Sequence, residues 1–122
     1  MTVRGIRGAT TAETNTRESI LDATRELLVA IVEANQLNIA DIASVYFTVT
    51  PDLDAAFPAR AARDLGWTDA ALLDAQAPRV IGDLPHCIRV LIHWNTAHAA
   101  NEIAHVYLRE AIKLRPDRVK ES

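Results

Sequence analysis

Residues 87–94 read CIRVLIHW, a run of β-branched and other apolar side chains bounded by Pro85 and Asn95. Such a run predicts a central strand. Side chains alternate across a strand, so Cys87, Arg89, Leu91 and His93 take one face and Ile88, Val90, Ile92 and Trp94 the other. The second face is wholly apolar and needs a layer to pack against. The first carries Arg89 in its midst, and a guanidinium does not discharge by losing a proton. Buried there, it requires an anionic or hydrogen-bonding partner. Two readings stay open: an anion pocket, or an internal pair with a carboxylate of the chain.

The packing layer comes from residues 17–35. Ile20, Ala23, Leu27, Leu28, Ile31 and Val32 recur at spacings of three and four, which gives a helix one buried face, while Glu18, Asp22, Arg25, Glu26 and Glu33 fall outside it. Asn15 and Thr16 can accept backbone hydrogen bonds at its start, and Glu18 suits the first turn. Thr24 lies on the buried side, where its hydroxyl can bond back to a carbonyl one turn earlier. Polar residues 35–38 end the helix, and a short turn follows over 39–43. Val45 to Thr50 predicts a second strand ending at Pro51, and Met1 to Thr11 a short strand with a loop behind it, Gly5 and Gly8 allowing close backbone approach. Pro58 opens a short helix through Ala61 and Leu65, closed by Gly66, with Arg60 and Arg63 one turn apart. Leu72 and Leu73 suggest a third, short strand before an irregular segment at Ala77-Pro78. Residues 103–114 fit a helix or an extended segment equally, and the charged residues from about 115 predict a mobile end.

At 122 residues and 49% hydrophobic content, the chain suits one domain over 1–122. Thirteen Lys plus Arg against sixteen Asp plus Glu give a net charge of −3 without a basic run, which argues against nucleic acid. No apolar stretch approaches the ~20 residues that span a bilayer, and MTVRGIRGAT lacks the apolar core of a signal peptide, so no membrane partner and a cytoplasmic location are expected. Cys87 is the single cysteine, read as a small buried side chain and not as a nucleophile or disulfide partner. His86, His93, His98 and His105 have no metal-ligand spacing, and neither a dinucleotide loop nor a GK[ST] phosphate loop is present. No metal and no cofactor are expected. What stands out is the arginines: Arg4 and Arg7 beside glycines, Arg63 on the short helix, Arg89 inside an apolar strand.

Taken together, VRGIRGATT (3–11), FTVTPDLDAAFPARAAR (47–63), CIRV (87–90) and HVYLREAIKLRPD (105–117) resemble the AroH class of monofunctional chorismate mutases, the Bacillus type, over nearly the whole chain. The resemblance implies an α+β subunit, a mixed sheet packed with one long helix and a short one, and a homotrimer whose sheets surround a barrel-like core, with active sites between subunits. It implies rearrangement of chorismate to prephenate, a unimolecular pericyclic step without metal or cofactor, accelerated by selecting a compact conformer and stabilising charge on the breaking ether bond. Carried over residue by residue, Arg7 grips a substrate carboxylate and Tyr107 adds a hydrogen bond there. Arg89 is the catalytic cation, reaching carboxylate and ether oxygen. Arg63, Leu114 and Arg115 enclose or attract the dianion, and Phe57 and Leu73 supply apolar wall.

One departure stands out. The family usually carries a glutamate where Ala77 stands and a small residue, often cysteine, where Asp74 stands. That glutamate is associated with the substrate hydroxyl and with balancing the arginines. Asp74 is expected to replace it as a catalytic carboxylate. The competing expectation is a noncatalytic trimeric anion-binding or regulatory homologue.

Overall fold

A computed structural model describes residues 1–114 of the chain. It contains strand β1 (Thr2–Thr11), helix α1 (Arg17–Asn35), strand β2 (Ile42–Val49), helix α2 (Ala59–Asp64), strands β3 (Ala71–Gln76) and β4 (Cys87–Thr96), and the two-residue β5 (Val106–Tyr107). Short 3₁₀ turns occupy Ile39–Asp41, Ala100–Glu102 and Arg109–Leu114. The expected mobile end and Arg115 lie outside the described residues.

The five strands form one mixed sheet in the order β3-β2-β4-β1-β5, with β4 central as its apolar run predicts. β4 runs antiparallel to both β1 and β2, while the edge strands β3 and β5 pair parallel to β2 and β1. The α+β class and the alternation of β4 both hold. Ile88, Val90, Ile92 and Trp94 are buried, and Arg89, Leu91 and His93 face the more open side.

Helix α1 covers the buried face. Ile20, Leu27, Leu28 and Ile31 are fully buried, each worth roughly 1.5–3 kcal/mol relative to an exposed side chain. The main core joins Leu27, Leu28 and Ile31 to Ile6, Val45, Phe47 and Ile92, with Trp67 closing it below α2. Thr16 caps α1 by accepting from the Ser19 N–H at 3.1 Å, and the Thr24 hydroxyl donates to the Ile20 carbonyl at 2.7 Å, as expected. Asn15 instead reaches across to the Asp54 and Ala55 amides.

Four element boundaries differ from the sequence expectation. β1 extends over ten residues where a short strand was expected, because its glycines are accommodated within the sheet. Gly8 faces α1 so closely that a Cβ there would lie 2.7 Å from Ile31 Cδ1 and 3.0 Å from Val90 Cγ1. β2 begins at Ile42, since the expected turn is only Ile39–Asp41. β3 is six residues long, drawn out by parallel pairing with β2 along Ser44–Val49. Residues 103–114 are neither one helix nor one strand. Asn35 decides this locally: its Nδ2 donates to the Ala104 carbonyl at 2.9 Å and its Oδ1 accepts from the Ala104 N–H at 2.8 Å, which tethers the chain just before β5.

Candidate active site

Cross-strand partners project to the same side of a sheet, so the register sorts the chemistry-bearing residues by face. Tyr107, Ala9, Arg89 and Thr48 are successive partners in one row across β5, β1, β4 and β2. Two residues along, Arg7, Leu91, Tyr46 and Leu73 form another row on the same face, away from α1. Arg7, Arg89 and Tyr107 thus converge on three adjacent strands. They line a cleft of about 620 Å³ together with Tyr46, Thr48 and Leu114. Two guanidinium groups and a phenol on an apolar floor suit a small organic anion with more than one carboxylate.

Arg89 is about one-third exposed, and its Nη2 donates to Asp83 Oδ1 at 3.2 Å. The two readings of this arginine therefore coexist: it has an internal carboxylate partner and also borders the cleft. The hydrogen bond from Arg89 holds the Asp83 carboxyl below its ordinary range. Arg7 is placed through its backbone, whose N–H donates to His105 Nδ1 at 2.9 Å. That bond needs a neutral imidazole, and burial, followed by the nearby Arg7 charge, holds His105 below its ordinary pKa of 6.5.

Asp74 sits in the intervening row with Phe47, Val90 and Gly8, and so on the opposite face from Arg89. Its Oδ1 accepts from the Ala59 N–H at 3.0 Å, in the first turn of α2. Burial pushes its carboxyl above the ordinary 3.8, opposed by that N–H and by the charge of Arg63. Arg63 is exposed on α2, and Phe57 and Leu73 are 70% and 56% exposed near it in the chain and on β3. Within one chain these four residues do not line the cleft of Arg7, Arg89 and Tyr107. Cys87 is buried, and burial pushes its thiol up, away from reactivity.

The histidines take separate partners: His93 meets the Ser44 hydroxyl, His98 lies near Glu102, and His86 near Asp52. Sequence reasoning missed His105 and Asp83 as site residues. Each sits beside an arginine that was singled out, but the pairing is made by the fold. The His105 bond spans 98 residues, and the Asp83 side chain is aimed by its own loop.

A small α+β protein with an arginine-lined cleft on the open face of its sheet is thus built to suit compact organic anions. The family model "Chorismate mutase type I" matches residues 3–118, and the chain belongs to this family. Its membership makes it an enzyme that isomerises chorismate to prephenate, a step of aromatic amino-acid biosynthesis. It is 53% identical over 116 residues to chorismate mutase AroH of Thermus thermophilus, covering 94% of this chain and 95% of that protein. Chorismate mutase AroH of Bacillus subtilis is 44% identical over 118 residues, covering 96% and 93%. A solved chorismate mutase from Clostridium thermocellum superposes with a TM-score of 0.88 at 50% identity, covering 89% of this chain and 97% of that one.

Proposed function

We propose that the chain catalyses the rearrangement as a cofactor-free pericyclic step, in the cytoplasm, as one domain over 1–122, with Arg89 as the catalytic cation. The observation that carries this reading is the placement of Arg7, Arg89 and Tyr107 on one face of three adjacent strands. Arg7 and Tyr107 take one substrate carboxylate. Arg89 reaches carboxylate and ether oxygen, donating to that oxygen as its bond to carbon breaks. A donor already aimed at developing charge needs no reorganisation, and removing one such donor typically costs 10²–10³-fold in kcat.

The assembly is a homotrimer with its sites between subunits. Two features support this: Phe57 and Leu73 are exposed apolar side chains, and Arg63 and Asp74 stand apart from the cleft of their own chain. From a neighbouring subunit, Phe57 and Leu73 wall the cleft, and Arg63 attracts the dianion. Asp74 accepts the substrate hydroxyl in place of the glutamate that Ala77 replaces, while Leu114 and Arg115 help enclose or attract the dianion. The test follows chorismate loss and prephenate formation without metal or nucleotide. Wild type is expected to turn over, and Arg89→Ala to lose at least about 10²-fold in kcat. Equal turnover by both removes Arg89 from catalysis, and no conversion by folded wild type leaves an anion-binding homologue.

A further inference from the structure

We propose that Asp83 is the positioning residue of Arg89: its carboxylate, fixed by the turn that leads into β4, holds the guanidinium at the cleft. This rests on the mutase reading and on the place of Arg89 in it. The Asp83 N–H donates to the Val80 carbonyl at 3.1 Å, closing a four-residue turn. Gly82, third in that turn, has φ of 84°, the dihedral that a type II turn demands at this place. Nothing lies within 4 Å of a Cβ added at Gly82, so the glycine serves the dihedral and not a tight contact. Asp83 Oδ1 then accepts from the following Leu84 N–H at 2.9 Å and from Arg89 Nη2 at 3.2 Å. Turn, glycine and self-capping bond all fix the same oxygen against the same guanidinium nitrogen.

Among the described residues the surroundings leave this task to Asp83. Arg89 also borders a second concavity, lined by Ala77, Pro78, Val80, Ile81, Gly82 and Asp83, and Asp83 is its one acidic side chain. Ala77 offers only a methyl group there, and Asp74 is engaged with Ala59 on the other face of the sheet. Arginine has five N–H donors, so a partner on Nη2 leaves Nε and Nη1 for the cleft. The two tasks of the usual glutamate are thereby divided: Asp74 takes the substrate hydroxyl, and Asp83 balances and aims the arginine.

This assignment has a kinetic signature. A loosened Arg89 loses the contact made to the ether oxygen in the transition state, which lowers kcat. Removing the carboxylate also makes the cleft more positive, which offsets the weaker hold of a loosened Arg89 on the substrate carboxylate. Asp83→Asn keeps an oxygen for the Leu84 N–H and preserves the turn, whereas Asp83→Ala removes every acceptor. Steady-state kinetics of the assembled wild type, both variants, Arg89→Ala, and Asp83→Ala in the Arg89→Ala background provide the test. Expected is a roughly tenfold lower kcat in Asp83→Ala, a smaller fall in Asp83→Asn, unchanged or lower KM, and no further loss in the Arg89→Ala background. The proposal is overturned by a kcat within about twofold of wild type in both variants, by a raised KM, or by a loss that persists without Arg89. Wild-type turnover by Arg89→Ala would instead sink the catalytic role of Arg89, a failure distinguishable from that of Asp83.

Discussion

Asp74 and His105 are half-buried ionisable groups whose surroundings oppose their charged forms, and each gives stability its own dependence on pH. For Asp74, burial outweighs the Ala59 N–H and Arg63, so its folded pKa lies above the ordinary 3.8. Stability linked to its proton is complete below 3.8 and lost as pH rises through the raised value. At neutral pH the ionised carboxylate therefore costs the fold something. Asp74→Asn keeps an acceptor for the Ala59 N–H, and it is expected to melt at or above wild type while losing turnover. A lower melting temperature would show that the charge supports α2. His105 runs the other way: its folded pKa lies below 6.5, so stability from the neutral ring is present above 6.5 and lost as pH falls through the depressed value. His105→Asn should lack this component, so the melting temperatures of the two proteins should draw together as pH falls below 6.5; parallel curves would refute it. Arg89 was legible in the sequence because a cation in CIRVLIHW needs a reason. Asp83 and His105 were not, because a polar residue in a polar loop carries no local mark of the arginine it will meet.

Among the elements, α1 and β4 were legible because each buries one continuous face, and periodicity records burial. β3 was legible only as a short strand at Leu72 and Leu73: Leu72 and Asp74 are half-buried while their neighbours are exposed, so an edge strand leaves an alternation too weak to show its full length. β5 left its sequence signature ambiguous between strand and helix, and its place beside β1 is set by pairing with Ala9 and by the Asn35 tether. β1 hid its length behind Gly8, whose missing side chain is what lets α1 approach. An added methyl meets Ile31, Val90 and Leu27 inside the main core. Gly8→Ala is therefore expected to lower stability by about 1–3 kcal/mol in urea unfolding. Because β1 shifts with it, KM should rise through Arg7; an unchanged midpoint would mean that the core yields freely.

At the level of the whole molecule, the trimer and the roles of Phe57, Arg63 and Leu73 came from resemblance, since a single chain's pattern does not record what its neighbour contributes. Mixing separates shared from private sites. If Arg89 and Arg63 reach one substrate from different subunits, co-refolded Arg89→Ala and Arg63→Ala chains rebuild intact sites. About a quarter of sites regain both arginines by random assortment in a closed ring. Activity that stays at the level of the separate variants would place both arginines in one subunit's site. The parallel pairing of Gly8 and Ala9 with Val106 and Tyr107 has its own consequence at this level. Arg7 and Tyr107 come from remote parts of the chain, and the strand that carries Tyr107 is only two residues long. A ligand gripped by both closes a loop of nearly the whole described chain, acting as a noncovalent rivet on the weakest seam of the sheet. Occupancy of the cleft is then expected to slow proteolysis that begins by peeling this last strand from the sheet.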